Sequence, residues 1–245
     1  MRKLAWAALL LVGCSSAQPA GPLGDEGSSG GGTPRAPDPK DAGYDSQPSL
    51  DSGLGVLSFS PDTSYSGFDG MHAFKVPIAV YDAGDDLKVT ATDPSAATIA
   101  PVKLAQPTKP DGTHDNGRYF MITVKKAGTI TLVAESHGKK AQATITATSY
   151  PTERWTAGEA RYTNAGSNGD PPCTQCHAGS AGIDHSPASM ASATDTALGT
   201  VITTGISTAG FPIKEMSKGH RWEVSDEERD GLVTYLRGLE PRGFE

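Results

Sequence analysis

Cysteine is scarce in this chain: 245 residues hold only Cys14, Cys173 and Cys176. None lies between residues 54 and 150, so no disulfide can join strands in that span. A basic stripe is also missing. The formal net charge of −7 excludes a nucleic-acid partner, because phosphate recognition demands a basic surface. The apolar run from Leu4 to Val12 is far shorter than the ~20 residues a membrane-spanning helix requires. Catalytic triads, phosphate-binding loops and paired catalytic carboxylates are absent too. The clusters Asp226-Glu227-Glu228 and Asp85-Asp86 read as a helix start and a turn.

The N-terminus does carry a signal. Arg2 and Lys3 precede the apolar run, which ends in Gly13-Cys14-Ser15-Ser16, the order of an export signal with a small-residue cleavage site. The stretch Leu11-Val12-Gly13-Cys14 resembles the lipobox of bacterial lipoproteins. That resemblance implies cleavage before Cys14, lipidation of its thiol and attachment to a membrane of the cell envelope, with Ser15 resembling the outer-membrane sorting pattern. Residues 1–13 are thus the signal peptide. Residues 14–53, dominated by Gly, Pro, Ser, Ala and Asp, hold too few large apolar groups to offset ordering entropy and read as a disordered tether.

Periodicity changes at about Leu54. Phe74, Val76, Ile78 and Val80 alternate with less apolar neighbours, as do Phe120, Ile122 and Val124, then Ile130, Leu132 and Ala134, then Ala141, Ala143, Ile145 and Ala147. Period two with turn residues such as His137-Gly138-Lys139 predicts a sandwich over 54–150. The segments Ala127–Ala134 and Ala143–Ala147 resemble the closing strands of bacterial Ig-like domains, which implies a fold but no function. His72, His114 and His137 lack metal-ligand spacing and receive no chemistry.

After Pro151 the pattern turns helical. Thr156-Ala157-Gly158-Glu159 has capping-box form. A second helix starts near Thr194 or Asp195 and stops at Gly205. A third starts at the capping box Ser225-Asp226-Glu227-Glu228 and carries the stripe Leu232, Tyr235, Leu236, Leu239. Ahead of the second helix stands Pro171-Pro172-Cys173-Thr174-Gln175-Cys176-His177. Two thiols three positions apart on a starting helical turn can add to the two vinyl groups on one haem edge, while the adjacent imidazole reaches the iron. A thioredoxin-like pair lacks its βαβ context, and zinc needs further ligands, for which His185 and His220 are available but unpaired in spacing. A plain disulfide stays open.

Around this motif the chain from about 152 to 245 resembles a small class I cytochrome c. Gly158-Glu159-Ala160-Arg161-Tyr162 matches the family's glycine followed four residues later by an aromatic, on a helix that crosses the C-terminal helix closely. Leu232, Tyr235 and Leu236 supply the opposing face. The loop Thr163 to Pro172 is longer than the family's. The resemblance implies haem c held by Cys173 and Cys176, with His177 as one axial ligand. Met216, 39 residues later in a loop resembling the methionine loop, would be the other, and His220 the alternative. Arg221 and Trp222, donors matched to carboxylate, are candidate haem-propionate partners.

The expected architecture is therefore multidomain: an all-β Ig-like sandwich at 54–150 followed by an all-α cytochrome c domain at 151–245. The expected function is non-enzymatic: an envelope-tethered carrier passing single electrons between redox proteins. Its alternatives are a haem enzyme or gas sensor with a vacatable distal site, or an Ig-like binding or adhesion module with an accessory cytochrome.

Overall fold

The computed structural model describes residues 55–106, 115–177, 184–213 and 220–245. Cys14, His114 and Met216 lie outside these residues. The alternating stretches form strands that turn their apolar side chains into the core. In β3 (Lys75–Tyr81) and β6 (Arg118–Val124) these include Val76, Ile78, Val80, Ile122 and Val124; in β7 (Gly128–Ser136) and β8 (Lys139–Ser149), Ile130, Leu132, Ala134, Ala143, Ile145 and Ala147. All belong to one apolar cluster, so the two sheets share a core. β7 and β8 pair antiparallel with Ile130 opposite Ile145 and Leu132 opposite Ala143. His137 and Gly138, both at positive φ (48° and 72°), make the tight turn between them.

Four shorter strands complete the sheets: β1 (Ser58–Ser60), β2 (Thr63–Phe68), β4 (Lys88–Ala91) and β5 (Ala97–Val102). The strand orders are β1-β3-β6-β5 and β2-β8-β7-β4. β2 runs parallel to β8; every other pair is antiparallel.

The helices are α1 (Glu153–Thr163), α2 (Thr174–His177), α3 (Pro187–Met190), α4 (Asp195–Thr204) and α5 (Asp226–Gly238). α5 opens with the predicted reciprocal capping box of Ser225 and Glu228. At α4, Thr194 caps the start and Gly205, at φ 68°, ends the helix in the left-handed region. Thr156 is not a cap: α1 begins at Glu153, so the Thr156–Glu159 box lies inside it. None of the helices among the described residues is long and apolar enough to cross a membrane.

The expectation of a sandwich followed by a separate all-α cytochrome c domain is corrected by this arrangement. Among the described residues eight strands in two sheets dominate, the longest helix has 13 residues, and all of them fall in one compact unit. The reason lies in core size. Among the described residues the helices' own apolar cluster buries Tyr162, Leu232 and Leu236, too little apolar area to offset the ordering entropy of a free-standing domain. They lean on the sheets instead. Trp155 of α1 stacks on His72 (ring centroids 3.8 Å), meets Phe74 edge-on and touches Tyr235 of α5. The backbone N–H of Tyr65 in β2 donates to Ala191 O at 2.7 Å, and Lys75 pairs with Glu240. The chain end pairs with the strand continuation after β5: Lys103 N–H donates to Glu245 O and Glu245 N–H returns to Lys103 O.

Candidate functional site

α1 and α5 meet where neither carries a side chain. A Cβ on Gly158 would lie 2.0 Å from Gly231 O, and one on Gly231 would lie 2.7 Å from Gly158 N. This contact lets Tyr162 pack against Tyr235, with ring centroids 5.3 Å apart. Gly158 is visible in the sequence through its spacing to Tyr162; Gly231 is not, since nothing local marks it.

From α1 the chain reaches the Cys-x-x-Cys-His turn through a loop that is tied back on itself. Arg161 is buried, and its Nη1 donates to Asn164 O (3.1 Å) and Pro171 O (3.5 Å). Its Nη2 is buried without a hydrogen-bond partner. Gly166 N–H donates to Asp170 O, and the Asp170 carboxylate accepts from Glu223 N–H. Trp222 Nε1 donates to Pro171 O at 3.1 Å. The indole expected to bind a propionate is thus committed to the backbone just before Cys173. Arg221 is exposed and lies 3.9 Å from Glu223.

Cys173 and Cys176 are not joined in a disulfide. Cys173 packs against the Tyr162–Leu232–Leu236 cluster, while Cys176 is exposed. Burial pushes the Cys173 thiol up to about 11, opposed by the nearby Arg161 cation. His177 is buried and closes α2 with its N–H on Cys173 O at 3.1 Å. It forms part of a cleft of about 500 Å³ with Tyr162, Asp184, His185, Leu239 and Arg242, within the size range of cofactor sites.

Three imidazoles gather here. His185 stacks on His177 (centroids 3.4 Å apart, planes 22° apart), and His220 stands perpendicular to it (5.9 Å, 86°). In the sequence His185 and His220 stand without paired spacing, and nothing local marks Arg161 or Arg242. Only the folded chain brings α1, the segment before α3 and the C-terminal tail together. Among the described residues, no group of three or more His, Cys, Asp or Glu side chains converges as a metal-ion site.

Burial, reinforced by the His177 and His220 rings, holds His185 down to about 3. Its folded pKa then lies below its unfolded value of about 6.5, so the unfolded chain binds more protons between the two. The stability this neutral ring contributes is complete above about pH 6.5 and is lost as pH falls toward 3. In urea melts of the cofactor-free chain, lowering pH from 7 to 5 is expected to cost about 2 kcal/mol through this group. His185→Gln should remove that part of the slope; an unchanged slope would contradict the assignment.

No family model matches the chain, and no curated protein matches it. Among solved structures it is similar to the surface layer protein SbsC, domains 1–6, at 12% identity and a TM-score of 0.30, over 48% of this chain and 17% of that one. A likeness at that score carries no argument about function.

Proposed function

We propose that the chain is an exported c-type cytochrome, a carrier of single electrons with one haem bound through Cys173, Cys176 and His177. The observation that carries this reading is the placement of Cys173-Thr174-Gln175-Cys176-His177 on a single helical turn, with the His177 ring buried in the wall of a cofactor-sized cleft. The ligand inventory supports it as well. A structural zinc needs four converging protein ligands, which the described residues do not bring together, whereas a haem iron asks the protein for one or two.

Haem supplies one-electron exchange between ferric and ferrous iron. The protein's part is to attach, orient and shield. Cys173 and Cys176 would hold the haem by adding their thiols across its two vinyl groups, a redox-neutral addition in which each thiol hydrogen would go to the neighbouring carbon. Cys173 holds its proton on Sγ at neutral pH because it is buried. His177 is oriented by α2 and by the His185 ring against its face. Arg242 lies in the same cleft wall as the Asp184 and Glu240 carboxylates, while Arg221 is exposed. The Tyr162 hydroxyl, pushed up to about 12 by burial, stays neutral in the same wall.

The lipobox-like segment ending at Cys14 makes this a carrier held at an envelope membrane by lipid, exchanging electrons with other envelope proteins. Voltammetry tests the function. Full-length protein from a host with cytochrome c maturation should give one reversible one-electron wave, and Cys173→Ala/Cys176→Ala none. A wild-type protein without a wave would overturn the proposal.

A further inference from the structure

We propose that Asn116 is a self-modifying site, whose side-chain amide converts to a carboxylate by attack of the chain's own backbone, while the fold protects the equivalent Asn168. The proposal does not depend on whether haem binds. The chain holds three asparagines, Asn116, Asn164 and Asn168, and two of them precede glycine, in Asn116-Gly117 and Asn168-Gly169. In such a pair the backbone nitrogen of the glycine, which no side chain shields, can reach the asparagine Cγ. A nitrogen–carbon bond forms, and the side-chain nitrogen leaves as ammonia with the proton displaced from the glycine N–H. Water then opens the five-membered imide at either carbonyl to give aspartate or isoaspartate. One water is consumed for each ammonia released, and no oxidant is needed.

The two pairs share a sequence but not a setting. Asn116 stands exposed ahead of β6, and no hydrogen bond holds its side chain among the described residues. Gly117 N–H donates to Asp115 Oδ1 at 2.8 Å, so a carboxylate already faces the proton that must leave, within the reach of a general base. The Tyr81 hydroxyl donates to the other oxygen, Asp115 Oδ2, at 3.3 Å and steadies that carboxylate. Only glycine fits at 117, because a Cβ there would lie 2.9 Å from Asp115 Oδ1 and 3.0 Å from the Tyr81 ring. Asn168, by contrast, is held at both ends of its amide. Its Nδ2 donates to Asp170 Oδ2 at 3.0 Å, and its Oδ1 accepts from Asp170 N–H at 3.1 Å. Gly169, at φ 84°, turns its N–H to Gly166 O at 3.0 Å. Closing the ring there means breaking these hydrogen bonds together.

The product bears on the sandwich. β6 lies between β3 and β5, and Arg118, the residue after Gly117, opposes Val80 and pairs with Asp85 at 2.5 Å. A new carboxylate beside Asp115, or the extra backbone methylene of isoaspartate, falls at the start of that inner strand.

The test is peptide mapping of the full-length protein during incubation in neutral buffer, with aspartate and isoaspartate scored at both sites. Asn116 should convert at least about tenfold faster than Asn168, the scale on which holding reacting groups in or out of attack geometry acts. In urea, where the fold no longer separates the two pairs, the rates should converge. Equal rates in the native chain, a faster Asn168, or a gap that persists in urea would overturn the proposal. Asp115→Ser should slow conversion at Asn116 several-fold and leave Asn168 unchanged; an unchanged or faster rate at Asn116 would overturn the role given to Asp115. The comparison of the two sites within wild type needs no variant, so the outcome does not depend on Asp115→Ser folding.

Discussion

Gly158→Ala is expected to destabilise the protein by about 3 kcal/mol, the upper end of what overpacking costs, although alanine is the better helix former by about 1 kcal/mol. The added methyl would sit 2.0 Å from Gly231 O and 2.4 Å from Gly231 C, both backbone atoms of α5. Neither can swing away as a side chain would, so the two helices must separate. Tyr162 and Tyr235 then lose their contact beside the His177 cleft. Gly199→Ala is the control. It too lies inside a helix, α4, but its nearest neighbour is Arg229 Cδ at 3.2 Å, part of a flexible side chain. That substitution should change stability by less than about 1 kcal/mol. Thermal melts of both variants decide the matter: a drop of roughly 6–12 °C for Gly158→Ala alone is expected for a chain of this size, and equal melting temperatures would contradict the close crossing.

Arg237→Met should cost a similar amount, about 3 kcal/mol, for a different reason. Arg237 is only 2% exposed. Its Nε and Nη2 donate to Asp195 Oδ1 at 3.0 and 2.9 Å, its Nη1 to Met190 O at 3.0 Å, and its Nη2 also to Ala193 O. Asp195 in turn accepts from the Tyr150 hydroxyl at 2.7 Å, so one guanidinium ties α5 to α4, to the end of α3 and, through Asp195, to the end of the sandwich. Methionine fills the volume but removes the guanidinium donors, leaving Asp195 with the Tyr150 hydroxyl and Met190 O with the Ala193 N–H, and Ala193 O without its arginine partner. The cost falls at the lower end of the roughly 3–5 kcal/mol for breaking a buried pair, because the Asp195 side chain keeps 30% exposure. Asp195→Asn in the same background should return part of the loss in a double-mutant cycle; strict additivity would show that the pair does not couple.

These two sites divide what the sequence made legible from what it hid. β6, β7 and β8 could be read because alternate side chains turn to the core, and β3 because Phe74, Val76, Ile78 and Val80 are spaced by two, although Pro77 and Ala79 between them are buried as well. α4 and α5 could be read because Thr194, Gly205 and the Ser225–Glu228 box are local capping chemistry. Gly158 belonged to a recognisable spacing, and the Cys-x-x-Cys-His turn to five adjacent residues. The rest depends on distant partners. β4 has four residues, β5 carries Pro101, and β2 pairs parallel to β8 while burying Ser64 and Ser66, none of which alternates cleanly. Arg237 follows an apolar stripe and looks like a solvated helix end until Asp195 is brought to it. The helices looked like a domain of their own because the pattern reports which face is apolar, not what covers it. Trp155, shared between Phe74 and Tyr235, shows that the sheets do so in part. The site follows the same rule: His177 was legible, while the placement of His185, His220 and Arg242 around it was not.

The most direct test of the central claim is the intact mass, under denaturing conditions, of the full chain produced with cytochrome c maturation. The account predicts that wild type retains the mass of one haem after unfolding and that Cys173→Ala/Cys176→Ala does not. A wild-type chain at its bare polypeptide mass, or one that releases its haem on denaturation, would contradict it.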